Sequence, residues 1–87
     1  MGKYEKFIIK ILRATSDKNI EFDELLNLLF RFGFSCRISG SHRILTKKGI
    51  DEILNLQPKN GQAKPYQVKQ VRDIILKYQL EIPDDES

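Results

Sequence analysis

The spacing of the apolar residues changes at Gly33, and that change limits the fold more than any other feature of the chain. Before it, Tyr4, Phe7, Ile8, Ile11 and Leu12 recur at i, i+3, i+4, i+7 and i+8, one face of a helix over residues 2–14. Leu25, Leu26, Leu28, Leu29 and Phe32 form a second such face and predict a helix over 22–32. Asp23 and Glu24 fall in its first turn, where the helix dipole favours negative charge. Beyond Gly33 the period becomes 2, with Phe34, Cys36 and Ile38 alternating with Ser35, Arg37 and Ser39. The expected product is a half-buried strand carrying its apolar set on one face. Gly33 itself stands where a left-handed residue ends many helices.

Gly40 closes a tight connection into a short strand over 42–47, and Lys48-Gly49 turns into a third strand over 50–57. Three adjacent strands with such short links predict an antiparallel meander. Thr15 to Asn19 has no apolar period and reads as a loop, and Pro58 to Lys64 reads as a mobile loop with Gly61 as its turn glycine. Pro65 is suited to the first turn of a last helix whose apolar set is Val68, Val71, Ile74, Ile75 and Tyr78. Pro83 and Asp84-Asp85-Glu86 follow as an acidic tail. The expected fold is α+β in the order α-α-β-β-β-α, with helices covering a three-stranded antiparallel sheet.

A chain of 87 residues has room for one small domain over residues 1–87, which excludes a two-domain enzyme. Apolar runs stop at three residues, far short of a transmembrane helix, and no signal peptide is expected. Lys6 occupies the position where a myristoylation motif after Met1-Gly2 needs Ser or Thr. A cytoplasmic protein is the expectation. One cysteine, Cys36, rules out an internal disulfide framework, and with a single histidine it cannot complete a zinc site, so neither metal nor cofactor is expected. Charge is uneven along the chain: residues 1–30 balance five basic against five acidic groups, whereas 31–77 carry ten basic and three acidic, a net +7. Such a segment is the electrostatic footprint of a polyanion, or else a solvated basic surface.

Gly40-Ser41-His42 brings a flexible backbone, a hydroxyl and the only imidazole to the start of a strand. Histidine titrates near neutrality and is the commonest acid-base group, although a histidine that merely decorates a strand is the plainer alternative. Cys36, on the apolar face, reads as a small core residue. Phe30, Phe32 and Phe34 read as a core aromatic cluster rather than a base-stacking platform.

The apolar helix Phe22, Leu25, Leu26, Leu28, Leu29, the step Gly33-Phe34 and the run Gly40-Ser41-His42-Arg43-Ile44 together resemble the HicA toxins. The closing start Lys64-Pro65-Tyr66-Gln67-Val68-Lys69-Gln70-Val71 extends that resemblance, which covers a HicA-like core over residues 20–80. Residues 1–19 then form an additional N-terminal helix and loop, and 81–87 the acidic tail. The resemblance implies a fold like the double-stranded RNA-binding domain and a ribonuclease of a toxin-antitoxin pair that cleaves mRNA. It implies His42 as the catalytic residue and a HicB-like antitoxin protein as partner. Many members of the family carry a bulky aromatic three residues after the histidine, where this chain has Leu45. Many also carry a second histidine beyond the third strand, where this chain has Pro58-Lys59-Asn60.

Cleavage of RNA without metal needs a base for the 2′-hydroxyl proton, cations against the phosphate and an acid for the leaving oxygen. His42 is the expected base, beside Gly40 and Ser41. Arg37, Arg43, Lys59 and Lys64 are the candidate phosphate contacts, and Tyr66, a lysine or water the candidate acid. Two other classes share these features: a noncatalytic RNA-binding module, and an interaction protein whose basic face meets an acidic partner.

Overall fold

The computed structural model describes residues 3–13 and 17–81. Helix α1 spans Lys3–Arg13, a short 3-10 turn spans Asp17–Asn19, and helix α2 spans Phe22–Phe32. Strands β1 (Ser35–Ser39), β2 (His42–Lys47) and β3 (Ile50–Leu56) follow, and helix α3 (Pro65–Tyr78) closes the fold. The sheet is an antiparallel meander in the order β1-β2-β3. The fold is therefore the expected α+β arrangement, two N-terminal helices, a three-stranded sheet and a C-terminal helix packed on it. Among the described residues no helix is long and apolar enough to cross a membrane.

The period change at Gly33 is built as a backbone motif. Gly33 takes φ 101°, its N–H donates to the Phe30 carbonyl at 3.0 Å, and the Phe34 N–H donates to the Leu29 carbonyl at 3.0 Å. This pair of bonds satisfies carbonyls that the end of α2 leaves open, while Leu29 and Phe34 meet in the core across the motif. A side chain with a Cβ is strained at that φ by about 1–2 kcal/mol. The chain thus leaves α2 in a direction that lays β1 beside the helix layer.

One face of the sheet meets the helices. Leu45 of β2 and Leu54 and Leu56 of β3 are buried against Val68, Val71, Ile74 and Ile75 of α3 and the buried row Leu25, Leu28, Leu29 and Phe32 of α2. Ile11 of α1 and Ile20 complete the same core. The N-terminal helix is tied in by chemistry as well as by packing, since Arg72 Nη1 of α3 donates to the Ile11 carbonyl of α1 at 3.4 Å and to both carboxylate oxygens of Asp17, in the 3-10 turn, at 3.1 Å. At the other end of α3, Tyr78 Oη donates to Glu52 Oε1 at 2.6 Å and Lys77 Nζ to Glu52 Oε2 at 2.9 Å. These bonds hold β3 where a bulge shifts its register against β2, between Leu45 and Lys47.

Three expectations are corrected. Ile38 is 66% exposed, because α3 packs on β3 and the far end of edge strand β1 has no helix above it; Cys36, two pairs further in and opposite Leu45, is half-buried against the core. Phe30 is 46% exposed, so of the expected Phe30, Phe32 and Phe34 cluster only Phe32 and Phe34 lie in the core, together with Phe22. The segment 58–64 is a structured turn. Asn60 and Gly61 take φ 53° and 78°, as a type I′ turn requires, and Lys59 and Gln62 exchange both backbone hydrogen bonds at 2.9 and 3.0 Å. That turn is fastened to the start of α2: Phe22 N–H donates to Gly61 O, and Ala63 N–H donates to Ile20 O. The expected helix ends at residues 2 and 14, part of the loop 15–19 and the acidic tail from residue 82 lie outside the described residues.

Candidate functional site

The β1–β2 connection is a two-residue turn between Ser39 and His42, which pair across the hairpin. Gly40 takes φ 61° while Ser41 stays at negative φ, the pattern of a type II′ turn whose first central position favours glycine. The turn places His42 at the first position of β2, exposed, on the sheet face that the helices do not cover. Strand alternation puts Ile44 and Thr46 on that face, and register adds Arg37, opposite Ile44, and Asn55, also opposite Ile44. Asn55 is therefore diagonal to His42, within reach of its ring.

His42 Nδ1 lies 2.8 Å from Asn55 Oδ1. An amide oxygen only accepts, so Nδ1 carries the hydrogen and donates it. In the neutral ring Nε2 is then an unprotonated acceptor, directed away from the strand that holds Nδ1. A ring held by one nitrogen with the other open as a base is the arrangement a proton transfer needs.

A second chain of hydrogen bonds supports the turn beside it. Gln57 Nε2 donates to Ser41 Oγ at 2.9 Å, and the Gln57 carbonyl accepts from Gln67 Nε2 at 3.1 Å. Gln67 is fully buried in the first turn of α3, where its Oε1 also accepts the Lys64 N–H at 3.2 Å. Only this half of a capping box forms, since a lysine ammonium at Lys64 has no acceptor for the Gln67 N–H. The end of β3, the start of α3 and the Gly40-Ser41 turn are thus joined in one network.

The candidate cations separate into three places. Arg37 is exposed on the open face with His42. Arg43 is half-buried and alternates to the opposite face, in the row of Ile38 and Leu56. Lys59 and Lys64 lie at the two ends of the 59–64 segment and line a separate concavity at the start of α3. Tyr66 is 56% exposed, with its hydroxyl 3.5 Å from Gln67 Nε2. Among the described residues no three His, Cys, Asp or Glu side chains converge as metal ligands.

No family model, curated protein or solved structure matches this chain. What the site can do follows from its own atoms: an exposed imidazole fixed through Nδ1, a hydroxyl held by an amide, and one arginine on the same face. Asn55, Gln57 and Gln67 are the residues that sequence reasoning missed. Asn55 and Gln57 have only the period-2 alternation of β3 as their signal, and which residue of β2 they face depends on the bulge. A glutamine in the first turn of a helix begun by Pro65 is visible as a cap, but its bond to the Gln57 carbonyl is not.

Proposed function

We propose that this chain is a small ribonuclease of the HicA type, a cytoplasmic mRNA-cleaving toxin in which His42 is the general base. The observation that carries the reading is the 2.8 Å contact of His42 Nδ1 with Asn55 Oδ1, which leaves Nε2 available on an exposed sheet face. The resemblance of the Gly40-Ser41-His42 run and its surroundings to HicA toxins gives the substrate class.

In this scheme Nε2 takes the proton of a ribose 2′-hydroxyl. The oxygen attacks the adjacent phosphorus, the bond from phosphorus to the 5′-oxygen breaks, and an acid returns a proton to that oxygen. The products are a 2′,3′-cyclic phosphate and a free 5′-hydroxyl. Arg37, on the same face, offsets charge on the phosphate as the attack proceeds. Tyr66, a lysine or water supplies the second proton.

A HicB-like antitoxin is the proposed partner, and the uncovered sheet face is the surface it would cover. Ile53 is 66% exposed there beside Ile44 and Arg37, a mixture of apolar and cationic groups that suits an acidic protein surface with apolar anchors.

The position of Tyr66 favours a second reading, a noncatalytic RNA-binding module: its ring is exposed and its hydroxyl accepts from Gln67 Nε2 at 3.5 Å, with no bond that directs it to His42. The two are separated by the ends of the products. Purified chain incubated with single-stranded RNA is expected to yield cyclic-phosphate 3′ ends, and RNA that is bound but recovered intact would establish the binding module instead.

A further inference from the structure

Three lysines come together at the start of α3, and none of them is paired with a carboxylate among the described residues. Lys18 follows Asp17 in the short 3-10 turn, Lys59 opens the type I′ turn and Lys64 precedes Pro65. All three line one concavity of about 320 Å³, together with the side-chain amides of Asn60 and Gln62. Among the described residues no acidic one lines it. The ion pairs of the described residues join Lys69 to Asp73, Arg72 to Asp17 and Lys77 to Glu52, and none involves these three lysines.

The backbone holds them there. Lys18 is carried by a turn whose Asp17 is gripped by Arg72 of α3. The Lys59–Gln62 turn is bonded to Ile20 and Phe22, the residues just beyond Lys18. Lys64 is fixed through its N–H by the buried Gln67. Like charges held together repel, and an anion seated among them relieves that repulsion. The first turn of α3 adds the positive end of its dipole.

We propose that this concavity is the docking site for phosphate groups of an RNA strand, distinct from the face that bears His42. The naming of RNA rests on the ribonuclease reading; the anion site rests on the lysines. The lining favours nucleic acid over a protein partner: three lysines and the amides of Asn60 and Gln62, the typical phosphate contacts, surround the buried Ala63 and the small exposed ring of Pro65, and neither is a large apolar anchor of the sort that centres protein interfaces. The site is linked to the His42 turn through Gln67, Gln57 and Ser41, so an RNA gripped by the lysines is presented to a base on the same rigid network.

The test is salt-dependent binding of a labelled single-stranded oligoribonucleotide to the full chain carrying His42→Ala, which keeps the RNA intact during titration. Replacing all three lysines, Lys18→Gln with Lys59→Gln and Lys64→Gln, is expected to reduce the slope of log affinity against log salt by about 2, since each phosphate contact to a single strand contributes about 0.7. A control of equal charge change, Lys6→Gln with Lys10→Gln and Lys48→Gln on exposed surface elsewhere, is expected to leave the slope unchanged. Should the Lys64 substitution disturb the start of α3, the Lys18→Gln, Lys59→Gln pair still has to lose about 1.4. Equal slopes for the two triple variants, or an acidic polypeptide bound at these lysines while RNA binding stays undiminished, would overturn the proposal. If RNA binds through these lysines but the wild-type chain never cuts it, the ribonuclease reading fails and the docking site stands.

Discussion

Asn55 Oδ1 accepts a hydrogen bond from His42 Nδ1 at 2.8 Å, between two strands and thirteen positions apart in the chain. The contact selects the tautomer and fixes the ring. Asn55→Ala removes both effects and leaves the imidazole in place, so RNA cleavage is expected to fall about tenfold to a hundredfold, the scale on which supporting residues of a reacting group act. Asn55 is exposed, so unfolding should shift by less than about 0.5 kcal/mol. Single-turnover cleavage and a urea unfolding curve on the same sample check the two halves.

Gln67 is the buried polar side chain on which the end of β3 and the start of α3 converge. Gln67→Leu keeps the volume and leaves the Gln57 carbonyl and the Lys64 N–H without their partner. The expected cost is about 1–3 kcal/mol in unfolding free energy. An unchanged urea midpoint would mean that both groups find other partners.

Gln79 ends α3 in the left-handed region, at φ 51°, with its own N–H and that of Leu80 bonded to the Ile75 carbonyl. Glycine adopts that conformation without a Cβ penalty. Gln79→Gly should therefore stabilise the chain, by about 0.5–1 kcal/mol after the greater freedom of glycine in the unfolded chain is counted. The reverse exchange at the other left-handed cap, Gly33→Ala, should destabilise it by about 1–2 kcal/mol. Thermal unfolding of the two variants in opposite directions is the check.

The carboxyl of Glu52 is held down from its ordinary 4.5 to about 2, first by the hydrogen bond from the Tyr78 hydroxyl and then by that from the Lys77 ammonium. Because its folded value is depressed, the stability it contributes is complete above its unfolded value and is lost as pH falls through the folded one. Lys77 is raised above 10.5, chiefly by Glu52, so its contribution is complete below 10.5 and is lost as pH rises through the raised value. Glu52→Gln should lie below wild type by a constant margin between those ranges and converge with it on acidification from pH 4.5 towards 2. Parallel stability curves down to pH 2 would contradict the pairing.

Much of the fold is legible because local signals and burial agree. The helix over 22–32, the left-handed Gly33 and the Pro65 start of α3 each pair a periodic apolar face with a backbone requirement. Ile38 misleads because alternation tells which face a residue takes and not how far the helices extend over that face. Asn60-Gly61 is the sequence of a type I′ turn, yet what it fastens to is a matter of the distant residues 20–22. At the site, His42 and its turn are visible from the Gly40-Ser41-His42 run. Arg37 and Arg43 look equivalent in sequence and fall on opposite faces, since strands alternate. Lys18 joins Lys59 and Lys64 only through tertiary bonds, which no spacing in the chain encodes.

The central claim is that His42 performs proton transfer on RNA, and the most direct measurement is cleavage of single-stranded RNA by wild type and His42→Ala side by side, in excess EDTA, with thermal unfolding of both. The account predicts cleavage by the wild type in the chelator, none by the variant, and melting curves that differ by less than about 0.5 kcal/mol, because the imidazole is exposed. Cleavage by His42→Ala at the wild-type rate, or wild-type activity that vanishes on chelation and returns with magnesium, would contradict it.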